Sequence, residues 1–189
     1  FFSSRRRHTR FRNVTGVQTC ALPISRIPKR GLLAVGLVWK GNPGYPRDHL
    51  RSMPFRELCP LFDMPAVAFH SLQLGPGAKE IDDMGYGGFV ADLTPFATNW
   101  RATAQLVEAL DIVVSVDTAV AHLAGALGKP VVMMATNASD WRWPRKGEKT
   151  PWYDSMICLR QPFQGQWAPV VARVREILEE RRGELKEAA

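Results

Sequence analysis

Residues 112–130 read IVVSVDTAVAHLAGALGKP, and their order decides the fold. Ile112–Val116 is a short apolar, β-branched run, which predicts a buried strand. Asp117 and Thr118 follow it, and either can cap a helix. A helix predicted over Thr118–Leu127 stops at Gly128, placed for a left-handed cap, with Pro130 just beyond. Val131–Ala135 then predicts the next strand. Strand, helix and strand in so few residues make a parallel crossover unit.

The same alternation continues outward. Gly31–Trp39 is a continuous apolar run ended by Lys-Gly-Asn-Pro-Gly, and Ala66–Leu72 is a second such run. Phe89–Leu93 and Met156–Leu159 predict further strands. A helix is expected from a Ser52 cap, with Pro54 in its first turn, to about Phe62. Another should run from a Thr98 or Asn99 cap through Leu110, with Trp100, Ala104, Val107 and Leu110 inward. A last one covers Ala168–Arg182, with Val170, Val171, Val174, Ile177 and Leu178 inward. Gly75–Gly88 reads as loop with one turn at Glu80–Asp83. Strands without strict alternation, separated by amphipathic helices, predict a Rossmann-like, doubly wound parallel α/β sheet over residues 31–183, with 184–189 as a tail. No internal repeat is evident.

Charge narrows the function classes. The 189 residues carry a formal +7, but residues 1–30 hold eight Lys/Arg and no Asp or Glu. Without those eight, 17 basic residues face 18 acidic ones, a net of −1. The body therefore offers no overall positive field to a nucleic-acid backbone, and no nucleic-acid partner is expected. No apolar run approaches the ~20 residues of a membrane span. Three cysteines, Cys20, Cys59 and Cys158, form no C-x-x-C pair and fit a reducing, cytoplasmic compartment. Residues 1–25 show no sustained period. A basic arm and a transit peptide are both compatible with them, but the string resembles a translated sequencing adapter. Residues 1–30 are expected to be disordered and artefactual, with the natural upstream domain or repeats missing.

In a doubly wound sheet, ligands bind beyond the carboxyl ends of the strands. Two loops there carry chemistry, after Trp39 and after Val116. At the second, free N–H groups and the helix dipole favour a phosphate. Thr118 can cap the helix or donate its hydroxyl to a ligand, and His122 lies one turn on, able to donate an N–H. The blander reading stands beside this one: Asp117 and Thr118 cap the helix and His122 is a core histidine. Arg142 is a weaker phosphate candidate, and most of the six tryptophans read as packing, with Trp141, Trp143 and Trp152 able to wall a cleft. His49 and His70 read as loop and core residues.

VDTAVAHLAGALGKPV resembles the donor-site motif of the heptosyltransferase-like glycosyltransferases, glycosyltransferase family 9. It is closer to a related domain that follows tetratricopeptide repeats in bacterial proteins and is itself similar to the catalytic region of O-linked N-acetylglucosamine transferase. VGLVWKGNP with Arg51-Ser52, then FHSLQLG, SDWRW, PWYDSM, LRQP and QWAPVVARV agree in order over about residues 31–178. Pro144–Thr150 departs from the pattern, where a more acidic run is expected. The resemblance implies one half of a GT-B fold, the half that binds a nucleotide-diphosphate sugar for transfer to an acceptor hydroxyl. It implies no metal and no other cofactor. By the same resemblance Asp117, Thr118, Ala119, Val120 and His122 line the diphosphate, and Trp39, Lys40, Gly41 and Asn42 form the facing loop. Lys40 or Arg51 would sit against phosphate charge, and Gln73 and Leu74 near base or ribose. No catalytic residue is assigned, because the family's general base comes from the other half. This chain alone is thus expected to bind nucleotide with little or no turnover. The alternative is a non-catalytic scaffold of the same fold behind helical repeats.

Overall fold

Every residue of three strands is buried: β1 (Leu33–Val38), β4 (Ile112–Val116) and β5 (Val131–Ala135). That is why their sequences do not alternate, for both faces of the sheet are covered. A computed structural model describes residue 27, residues 31–143 and residues 145–187. Within it β2 (Val67–Ser71), β3 (Val90–Asp92) and β6 (Met156–Arg160) complete a six-stranded, wholly parallel sheet in the order β3-β2-β1-β4-β5-β6. This is a Rossmann-like, doubly wound α/β architecture.

One face of the sheet presents Leu33, Val35, Leu37, Val114, Val116, Val132 and Met134 to a helix α5 (Ala168–Glu187) and to the 55–62 region. The other presents Ala34, Val38, Val113, Val131 and Met133 to α3 (Trp100–Ala109) and α4 (Ala119–Ala126). Gly36 of β1 allows close approach on that second face, because a Cβ there stands 2.6 Å from Leu110 Cδ1. Gly128 ends α4 with φ +72°, and the amides of Gly128 and Lys129 return to the Gly125 and Ala124 carbonyls.

Several expectations are corrected. The helix expected over Ser52–Phe62 is instead a short α1 (Asp48–Arg51) and a 3-10 segment, Phe55–Leu61, that contains Pro60. Ser52 caps neither, because its hydroxyl is drawn to Asp48. Asn99 caps α3 by accepting from the Ala102 amide at 2.9 Å. That start turns Ala102, Thr103, Leu106 and Val107 inward and leaves Trp100 61% exposed. The last helix, expected to end at Arg182, continues to Glu187. Ile27 packs in the same buried cluster as α3 and α4 residues. The other expectations for residues 1–30 fall outside the described residues. The edge of β6 is met by an antiparallel bridge, Lys149 to Ile157, and by a bond from the Cys158 amide to the Glu148 carbonyl at 2.7 Å. The short helix α2 spans Glu80–Asp83. No described helix is long and apolar enough to cross a membrane.

Phe55 anchors the 3-10 segment under the sheet, its ring 4.9 Å from that of Trp39 and 5.4 Å from that of Phe62. Phe55→Ala is expected to lower stability by about 3–5 kcal/mol, read as a lower urea midpoint with an unchanged slope.

Candidate functional site

The chain reverses its winding direction between β1 and β4, and the loops leaving their carboxyl ends part there. A cleft of about 590 Å³ opens between them. Of the expected site residues, Lys40, Gly41, Asn42, Arg51, Gln73, Leu74, Asp117, Thr118, Ala119, Val120 and His122 all line it. Trp39 does not. Its side chain is wholly buried against Phe55, because the residue after β1 still points into the core. Trp100 and Arg142 add to the cleft wall.

The loop after β1 is held by a chain of polar contacts. Gly41 N–H donates to Ser52 Oγ at 2.9 Å, and Ser52 donates to Asp48 Oδ2 at 2.7 Å. Asp48 Oδ1 accepts from Arg51 Nε at 3.0 Å, and Arg51 Nη1 donates to the Asp117 carbonyl at 2.8 Å. Arg51 thus ties the two cleft loops together. A Cβ on Gly41 would collide with the Asp48 carboxylate and the Arg51 guanidinium, so a larger residue there must displace this pair. Asp48 was not among the expected residues. The signal for it was its position three residues before Arg51 on one helical turn.

Lys40 pairs with Glu80, which also accepts from the Phe55 amide at 2.9 Å. Burial works to raise the Glu80 carboxyl, but the bonds from Lys40 and Phe55 outweigh it and hold the group below the usual carboxylate range.

Gln73 is 2% exposed and every hydrogen-bonding valence of its amide is used. Its Oε1 accepts from the Trp39 and Lys40 amides at 2.9 and 2.8 Å, and its Nε2 donates to the Lys40 and Leu74 carbonyls at 3.2 and 2.9 Å. The side chain therefore fixes the loop after β1 and has no group left for a base or ribose.

At α4 the Thr118 side chain makes no cap bond. Its hydroxyl lies 2.9 Å from Ser115 Oγ, which itself donates to the Val116 carbonyl. Thr118 is thus the donor in that pair, and its proton is not available to a ligand. The start of α4, at Ala119 and Val120, lines the cleft.

His122 faces the same space. Its Nε2 stands 3.8 Å from Asp117 Oδ1, and its ring lies over the buried Trp143 ring at 5.2 Å and 27°. Burial lowers its pKa, opposed by Asp117, reinforced by Arg142 and opposed again by Asp140. The net effect favours the neutral imidazole. Among the described residues, no grouping of three or more His, Cys, Asp or Glu side chains is placed to hold a metal ion.

The crevice sits at the switch point of a Rossmann-like, doubly wound sheet, with the start of α4 in its wall and no side chain capping it. Residues 89–174 match the family described as Glycosyltransferase family 9 (heptosyltransferase). The chain is similar to Protein FlbA of Caulobacter vibrioides, 32% identical over an alignment of 145 positions that covers 74% of this chain and 24% of that protein. It thus spans about a quarter of that relative's length. Its fold is similar to that of the E. coli heptosyltransferase WaaC with ADP, at a TM-score of 0.57 and 18% identity over 83% of this chain and 47% of that one. The WaaC structure with ADP-2-deoxy-2-fluoro heptose is similar at 0.53 and 19%, covering 83% and 46%. The chain spans under half of each.

Two outcomes check this anatomy. Gln73→Leu leaves buried amides and carbonyls without partners and is expected to cost about 2–4 kcal/mol in chemical denaturation. His70, buried in β2, also has a lowered pKa, mainly from burial. Both histidines bind a proton more readily unfolded than folded. Their share of stability is complete above the unfolded value of about 6.5 and is lost as pH falls through the lowered folded values. Urea midpoints should fall between pH 7.5 and 5, and less steeply in His122→Gln.

Proposed function

We propose that this domain binds a nucleotide-diphosphate sugar and forms the donor side of a glycosyltransferase that transfers the sugar to an acceptor hydroxyl. The observation that carries this reading is the uncapped start of α4 opening into the cleft between the β1 and β4 loops, with His122, Arg51 and Arg142 around it. Backbone amides at a helix start suit a diphosphate. The family match over residues 89–174 and fold neighbours solved with ADP and an ADP-sugar analogue support the same ligand class.

In this reading the Ala119 and Val120 amides and the His122 N–H receive the diphosphate. Arg51 and Arg142 offset its charge from the two sides, and Lys40 contributes from the facing loop. Asp117 holds His122 and carries the Arg51 contact through its carbonyl. Leu74 and Trp100 wall the end of the cleft nearer β2 and α3, where the nucleoside lies. During transfer the acceptor oxygen bonds to the anomeric carbon, and the bond from that carbon to the diphosphate breaks. The electron pair leaves with the diphosphate and the hydroxyl proton goes to a base. This domain stabilises the leaving group with amides and cationic side chains, worth most inside a dry, preorganised site and needing no metal. The acceptor and the general base meet the donor from a second Rossmann-like half across the cleft, so the domain by itself binds nucleotide with little turnover.

The test is thermal unfolding with millimolar ADP, UDP, GDP or CDP. One nucleotide at about 100 times its dissociation constant adds about 2.7 kcal/mol, moving the midpoint by several degrees at this size. The shift should vanish in Asp117→Ala and His122→Ala. A cooperatively melting protein that no nucleotide shifts would sink the donor-site reading and favour a scaffold role.

A further inference from the structure

Tyr153 lies outside the cleft lining, yet its hydroxyl is 3.0 Å from His122 Nδ1. It belongs to the segment between β5 and β6, remote in sequence from α4. Its ring reaches α4 only because residue 125 is glycine. A Cβ on Gly125 stands 2.6 Å from the Tyr153 ring carbon Cγ. His122 and Gly125 are three apart and share a helix face, so one tyrosine lies across both. His122 is then held on three sides: Tyr153 at Nδ1, the Trp143 ring against its face, and Asp117 towards Nε2.

The direction of the Tyr153 bond follows from charge. The Asp117 carboxylate favours a proton on Nε2, the nitrogen nearer to it. Nδ1 is then the bare nitrogen, and the tyrosine hydroxyl must be its donor. We infer that Tyr153 is a positioning residue that donates to His122 Nδ1 and so locks the neutral imidazole with its Nε2–H turned to the cleft. A neutral imidazole held this way presents an N–H to a phosphate oxygen at any pH above its own titration. The use of that N–H rests on the donor-site reading above; the lock itself does not.

Phe at 153 keeps the ring and removes only the donor, so it separates packing from hydrogen bonding. The groups facing His122 are Asp117 before α4, Asp140 and Arg142 between β5 and β6, and Tyr153 itself. A donor to Nδ1 favours the neutral ring, so Tyr153→Phe should raise the measured pKa of His122 by about half to one pH unit. An acceptor from Nδ1–H would favour the charged ring, and its loss would lower that pKa. The two directions thus report who donates.

The experiment is nitrogen-detected NMR of the His122 ring in the free protein, titrated in wild type and in Tyr153→Phe. The expected results are a bare Nδ1 in wild type and an upward pKa change in the variant. A protonated Nδ1, or a pKa that stays or falls, overturns the lock. Gly125→Ala, which displaces the same ring, should reproduce the upward change and guards against a variant that does not fold. The nucleotide that shifts wild type should bind Tyr153→Phe about three- to tenfold more weakly, and undiminished affinity overturns the positioning role. If no nucleotide binds wild type, the donor-site reading fails, and the NMR titration still decides the lock.

Discussion

The switch from β1 to β4 at the centre of the sheet is the constraint on which the rest depends. The first winding runs β1, β2, β3 to one side, and the second runs β4, β5, β6 to the other. Right-handed parallel crossovers then place the two sets of connections on opposite faces. The loops after β1 and β4 must separate, and no main-chain hydrogen bonding can close the gap between them. Side chains bridge it instead, chiefly Arg51 reaching the Asp117 carbonyl. The cleft is therefore a product of topology, and the polar chain through Gly41, Ser52, Asp48 and Arg51 sets its width.

Much of this was legible in the sequence because buried parallel strands announce themselves as short unbroken apolar runs. Ile112–Val116 and Val131–Ala135 were read with the limits the structure gives them, and Gly31–Trp39 overran β1 only at its ends. The 3-10 segment was not legible. Pro60 sits inside it, and the fold tolerates the proline because a 3-10 run depends on tertiary burial of Phe55, Leu58 and Leu61. Trp100 was misplaced for a related reason. Val107 and Leu110 of the expected stripe are buried, but the cap at Asn99 together with burial of Ala102 and Leu106 turns the indole out.

The site divides in the same way. Residues near one another along the chain, Asp117 to His122, could be grouped by helical spacing alone. The roles of Gln73 and Tyr153 could not be, because each acts across 30 or more residues. A glutamine after a strand looks like a ligand contact until its four bonds are counted. Trp39 looks like the start of a loop until its ring is found beneath the sheet. Long-range hydrogen bonding and the direction in which a side chain leaves the strand decide these cases, and neither has a local signature.

The two margins of the sheet have a consequence of their own. β3 offers only three residues, and β6 is covered by the bridge at Lys149 and the bond to the Glu148 carbonyl. Bare strand edges are templates for pairing with another chain, and short or covered edges blunt that hazard. A domain with an open crevice leaves part of its surface unsatisfied. Here the openness is confined to side chains and helix ends, while the backbone ladder gives a stray strand little to add to. Such a domain can keep its crevice open and still resist aggregation along its sheet.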